Sequence, residues 1–287
     1  MIKESFSALG ASTRDLFRNW PGLLLLAALY GLLLASVHYF FATGVANVWQ
    51  LVVTAVTAVA APLLFFLFQA GAANAALPEA TAGRIARRAP RDLLKVLLLA
   101  VPVTAAAVLF VYLLGKLQGW LPKVSEPPHV SMVAGMVGAK PTPLYWQDAL
   151  LSSSWLLLLG LVLPLAAAHL WLSAARVGLA ATLKGFHRVL GRAFAPRSVF
   201  VYAVGLFLFG LMPYFVLYTR TSFTTGWSEL LLFSFRLALT FFLTLVGWLV
   251  TLGALARVTP PETGPTPASV EPAPALPEPS TEPQLQA

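Results

Sequence analysis

Six long apolar runs constrain this chain more than any other feature in it. They fall at about 22–42, 49–72, 93–115, 149–174, 199–219 and 229–255. A helix crosses the hydrocarbon core of a bilayer in about 20 residues. In oil every backbone N–H and C=O must be satisfied within its own segment, so each run is predicted to be a helix. Of the 287 residues, 58% are apolar and only 10% charged. A water-soluble domain carries about 25% charged residues, so this chain lacks the polar surface to cover a core against water. The predicted fold class is all-α: a polytopic integral membrane helical bundle of six transmembrane helices, with amphipathic interfacial segments and a disordered C-terminal tail. The expected division is an interfacial segment at 1–20, a six-span domain at 21–257 and a tail at 258–287.

The placement of the cations sets the threading. Lys3, Arg14 and Arg18 precede the first span. Arg84, Arg87, Arg88, Arg91 and Lys95 lie between, or at the ends of, spans two and three. Arg176, Lys184, Arg188, Arg192 and Arg197 lie between four and five, and Arg257 follows six. Fourteen cations therefore fall on one side, against four on the other: Lys116, Lys123, Lys140 and Arg220. The positive-inside rule places both termini in the cytoplasm. Trp20, Trp49, Trp120, Trp146 and Trp227 stand at span ends, where an aromatic belt belongs.

Two basic stretches have helical amphipathicity. In residues 1–20, Ile2, Phe6, Leu9, Leu16, Phe17 and Trp20 lie near one stripe. In residues 176–197, Leu179, Leu183, Phe186, Leu190 and Phe194 share a stripe, with Lys184, Arg188 and Arg192 in an i, i+4, i+8 row opposite. Both suit a membrane surface, with cations among anionic headgroups. The order of basic segment followed by helical hairpin recurs three times. Each odd span is introduced by an arginine (Arg18, Arg91, Arg197), and each even span ends in small residues (from Gly71, Ser173 and Gly253). An internal repeat explains this pattern, and so does any Ala/Leu-rich chain obeying the charge rule.

The prolines of residues 116–148 break any long helix there. From Thr259 onward there are nine prolines and four glutamates but no cation, which reads as a disordered or polyproline-type tail. Such a tail solvates a terminus, recruits a protein partner through its Pro-rich motifs, or leans on the basic loops.

The net charge of +8 is distributed around apolar spans, with no nucleic-acid-binding motif beside it, so nucleic acid is not an expected partner. The chain has no cysteine, which excludes disulfides, thiolate metal sites and a cysteine nucleophile. His129, Met132 and Met136 are too few and too loosely spaced for a copper site, and no zinc spacing or phosphate loop occurs. Ser152, Ser153 and Ser154 have no acid–base partner nearby. No metal, cofactor or catalytic set is expected.

Three polar residues lie within spans. Arg236 sits about two turns below the outer end of span six, and is read first as a snorkelling or interface-paired arginine, partnered by Glu229 or Asp148. The alternative is an anion or substrate contact. His38 and His169 are expected to bond to neighbouring carbonyls rather than to relay protons. No carboxylate is expected deep in a span. Pro62, Pro102, Pro164 and Pro213 put one proline in each of the four middle spans and predict kinks. Gly205 and Gly210 are read as permitting close helix packing.

The stretches Glu4-Ser-Phe-Ser-Ala-Leu-Gly, Asp15-Leu-Phe-Arg-Asn-Trp-Pro and Arg192-Ala-Phe-Ala-Pro-Arg-Ser complete the pattern. With them the chain resembles uncharacterised polytopic inner-membrane proteins of bacteria. The resemblance spans the six helices and omits the tail. It implies the topology and carries no catalytic or ligand residues. The expected role is non-enzymatic: a membrane scaffold or accessory subunit contacting anionic lipid or a partner protein. The contact residues would be Arg84, Arg87, Arg88, Arg91, Lys184, Arg188 and Arg192. The alternative is a small-molecule transporter or channel whose path is lined by kinked spans and Arg236.

Overall fold

The structure is a computed structural model and describes residues 2–44, 46–78, 80–120, 146–219 and 226–259, without the side chains of 147 and 148. The outer-loop residues His129, Met132 and Met136, most of the proline-rich loop, and the acidic tail lie outside the described residues.

Six helices are long and apolar enough to cross a membrane: Trp20–Ala42, Val48–Ala75, Ala82–Trp120, Ala149–Val177, Pro196–Tyr218 and Gly226–Val258. In chain order the helices are α1 (Ile2–Arg18), α2 (Trp20–Ala42), α3 (Val48–Ala75), α4 (Ala82–Trp120), α5 (Trp146–Trp155), α6 (Leu163–Val177), α7 (Leu179–Lys184), α8 (Phe186–Ala193), α9 (Pro196–Leu206), α10 (Met212–Tyr218) and α11 (Gly226–Val258). Wide π-helical turns at Leu156–Val162 and Phe207–Leu211 join α5 to α6 and α9 to α10. Among the described residues no strand occurs.

Each π stretch runs up to a helix with proline in its first turn, Pro164 in α6 and Pro213 in α10. Proline has no N–H for the carbonyl four residues back, and a widened turn makes room for its ring. The carbonyl that Pro164 leaves without its usual donor belongs to Gly160. Tyr202, fully buried on α9, donates its hydroxyl to that carbonyl at 3.1 Å. Pro62 and Pro102 instead lie inside continuous helices.

The even spans α3, α6 and α11 touch one another, and α2, α4 and α9–α10 pack around them. Lipid tails are as apolar as leucine, so burial alone does not hold such helices together; close van der Waals contact and interhelical hydrogen bonds do. The sequence shows both devices. Gly205 lets Thr251 approach so closely that a Cβ there would collide with it, and Gly247 faces Phe209 in the same way. Gly210 meets only Leu206 of its own chain segment, so it serves no interhelical contact. Trp248 donates its indole N–H to Gln69 at 3.0 Å, joining α11 to α3.

Burial is concentrated at one end of the bundle. The buried residues of α3 are Phe68 to Asn74, those of α6 run from Leu163 to Ala174, and those of α11 from Leu245 to Ala256. Toward the other end, Val52, Val56, Leu109, Tyr112, Leu231 and Phe235 are exposed, the surface that lipid would cover. The five tryptophans assigned to the belt are exposed as well.

A basic segment seals each even span at the tight end. Ile85 and Ala89, in the first turns of α4, pack on Gly71 of α3. Helix α8 lies on α6, and the first helix of the chain, α1, lies on α11. The three hairpins of the expected repeat thus surround one centre. Both ends of the described chain meet there, through the Asp15–Arg257 ion pair.

Three details differ from expectation. Residues 176–197 do not form one helix. Gly178, at φ +86°, ends α6 in a conformation open essentially to glycine, and Gly185 separates α7 from α8. As a result Thr182, Val189 and Ala193 face inward, whereas Leu183 and Phe194 stay exposed. Second, α1 buries Ser5 and Ser12 along with Leu9; Leu16 packs partly buried on the core and Phe6 meets Phe200 of α9 edge-on at 5.8 Å, while Ile2 and Phe17 remain exposed. Third, the arginine-rich segment at 84–91 is continuous with the third span, which carries Asp92 into the packed region.

Candidate functional site

At the tight, basic end the bundle encloses a cleft of about 1070 Å³. Its arginines come from distant parts of the chain: Arg18 at the end of α1, Arg84 and Arg88 in the first turns of α4, Arg176 at the end of α6 and Arg257 at the end of α11. Among the described lining residues Asp15 is the one carboxylate beside these five arginines. The reason for the convergence is topological. Successive spans alternate in direction, so the ends of α1, α3, α6 and α11 and the starts of α2 and α4 all reach the same level.

Two of the arginines are engaged in holding the fold. Arg176 donates to the Thr259 carbonyl at 3.0 Å and to the Ala256 carbonyl. These are carbonyls at the end of α11 that have no partner in their own helix, and a cation there also opposes the helix dipole. Arg257 pairs with Asp15. Arg18 and Arg88, by contrast, are exposed and have no hydrogen bond or ion pair among the described residues. The cleft's accessible apolar wall includes Leu16, Leu23 and Leu77; Leu26 and Leu249 border it but are buried.

A buried polar cluster stands beside it. Asn74, which also lines the cleft, donates from Nδ2 to the Ala70 carbonyl and to Asp92 Oδ2, both at 2.9 Å. Lys95 Nζ reaches Asp92 Oδ1 at 2.6 Å. Asp92 is only 7% exposed, so a carboxylate does lie within the packed region, contrary to expectation. Its charge is offset by Lys95 and by the amide of Asn74. The signal in the sequence was the i, i+3 spacing of Asp92 and Lys95; Asn74 comes from the preceding hairpin and leaves no such trace.

The expected contact residues separate into three groups. Arg84 and Arg88 face the cleft, while Arg87 and Arg91 are exposed on other faces of α4. Lys184 and Arg188 are exposed on α7 and α8. Arg192, although in register with them, turns inward and lines a small cavity of about 30 Å³ with His169, Arg176 and Thr259. That space suits about one water molecule. Arg18, Arg176 and Arg257 complete the cleft, yet sequence reasoning used them only to orient the spans.

The intramembrane polar residues each have a local partner. His169 is buried, with Nδ1 3.0 Å from the Leu165 carbonyl and Nε2 3.3 Å from Thr259 Oγ1. His38 is exposed at the other end of the bundle, edge-on to Tyr39 at 5.7 Å. Arg236 donates to the Thr219 carbonyl at the end of α10 and does not line the cleft. Among the described residues no group of three His, Asp or Glu side chains is placed to hold a metal.

What this arrangement offers chemically is anion recognition: the exposed Arg18 and Arg88 guanidinium groups, in a recess with a partly apolar wall. Among the described lining residues no nucleophile is paired with a base. No known protein family, curated protein or solved structure matches the chain.

Proposed function

We propose that the protein is a non-enzymatic scaffold or accessory subunit of the bacterial inner membrane, with its basic end and both termini in the cytoplasm. It engages the anionic leaflet or a partner protein through that end. The observation that carries the reading is the gathering of cations at one end of a bundle whose centre is packed with apolar side chains. Lys184, Arg188, Arg87 and Arg91 provide outward charge. Phe68, Leu170 and Leu252 fill the region where the even spans meet.

The transporter reading requires a polar path past Arg236. The arginine-lined cleft does not include Arg236, which caps the end of α10 instead. These features favour the scaffold.

Protein held in zwitterionic nanodiscs should dock onto anionic vesicles at low salt. The K184Q/R188Q variant should dock more weakly, by up to about 1 kcal/mol per residue replaced. Equal docking by variant and parent at low salt would remove the lipid version of the proposal. Raising the salt should weaken the parent's docking as the Debye length shortens.

A further inference from the structure

We propose that the arginine cleft binds one anionic phospholipid, its phosphate held by Arg18 and Arg88 and its acyl-glycerol portion against Leu16, Leu23 and Leu77. This deepens the reading above and rests on it in one respect: the basic end must face a leaflet that contains anionic lipid.

Four observations carry the proposal. First, every cation in the cleft is an arginine; Lys3, Lys95 and Lys184 lie outside it. A planar guanidinium meets phosphate oxygens with two parallel hydrogen bonds, which an ammonium does not. Second, Arg176 and Arg257 are anchored by backbone carbonyls and by Asp15, so they supply fixed positive potential. Arg18 and Arg88 keep their donors available.

Third, the recess is amphipathic. Arg18 precedes α2 and Arg88 lies in the second turn of α4, while the partly exposed Leu16, Leu23 and Leu77 line the same recess. A lipid joins the same two chemistries, a phosphate and an apolar acyl-glycerol portion. A soluble phosphate ester has nothing to place against those leucines. Fourth, a volume of about 1070 Å³ accommodates a whole headgroup with its glycerol; pockets that enclose a small ligand measure about 300–1,000 Å³.

The test uses the full chain, purified in mild detergent and stripped of lipid, with native mass spectrometry reading occupancy. The probes are dioctanoyl phosphatidylglycerol, dioctanoyl phosphatidylcholine and glycerol 3-phosphate. We expect one saturable phosphatidylglycerol per chain, little phosphatidylcholine, and weak glycerol 3-phosphate binding. R18Q/R88Q should weaken phosphatidylglycerol binding at least about tenfold, since charge-assisted hydrogen bonds are removed. Ala80→Trp should do the same by filling the recess with every charge retained. K184Q/R188Q should leave this site unchanged even though it weakens vesicle docking.

Unchanged binding by both R18Q/R88Q and Ala80→Trp would overturn the cleft as the site, and loss in K184Q/R188Q alone would assign lipid contact to the outer surface, leaving the broader reading intact. Glycerol 3-phosphate binding as tightly as the lipid would make the ligand a soluble phosphate. Absence of phosphatidylglycerol binding in the parent would overturn the inference outright.

Discussion

The Gly160 carbonyl, deprived of its usual donor by Pro164, and the Tyr202 hydroxyl that supplies one, show how a single residue settles a helix defect in oil. A backbone acceptor without a partner in hydrocarbon costs free energy that no water can recover. Tyr202→Phe keeps the ring packing and removes only that bond. It should lower stability by about 1 kcal/mol, the usual size of one such hydrogen bond. Thermal unfolding of the variant in detergent checks this; an unchanged midpoint would mean that the widened π turn meets the carbonyl's needs unaided. Asp92 makes a second residue-scale case. Asp92→Leu leaves Asn74 and Lys95 without their acceptor and should destabilise by about 1–3 kcal/mol. Asp92→Asn, which retains an acceptor, should cost less in the same unfolding measurement.

Among the elements, α7–α8 and α1 depart furthest from their sequence patterns. The apolar stripe across residues 176–197 was legible, but Gly178 resets the helix direction and so changes which face turns inward. Its φ of +86° with ψ of 168° belongs to a region that side-chain-bearing residues avoid, at about 1–3 kcal/mol. Gly178→Ala should therefore destabilise the chain by that order, although open space surrounds the position. An equally stable variant would show that the turn relaxes readily. Helix α1 is seated by Ser12, whose Oγ donates to the Val250 carbonyl at 3.0 Å and touches Gly253 so closely that a Cβ has no room. Gly253→Leu should lift α1 from α11 and accelerate tryptic cleavage after Arg14 and Arg18, measured by limited proteolysis. Cleavage at the parental rate would mean that Glu4–Arg197 and Asp15–Arg257 are sufficient to hold the helix.

For the whole molecule, alternating span direction brings α1, the start of α4, α7–α8 and the end of α11 to one end, and the proposed orientation assigns that end to the cytoplasm. The chain has no cysteine of its own, so single replacements report sidedness directly. In inverted membrane vesicles, a thiol at Arg87→Cys should react with an impermeant reagent and one at Gly119→Cys should not. Reaction of both from one side would break the threading and every proposal that depends on it.

The sequence by itself determined the number of spans, their helical state and the segregation of charge. These follow from local quantities: the length of an apolar run against bilayer thickness, backbone hydrogen bonding within one segment, and cation counts between runs. Only the tertiary structure decided that Ser12 meets Gly253, that Asn74 meets Asp92 and that five arginines from four separate helices share one recess. Such meetings depend on which helices become neighbours and how they are rotated. In lipid that is set by small-residue contacts across the bundle, and these have no period along the chain to reveal them.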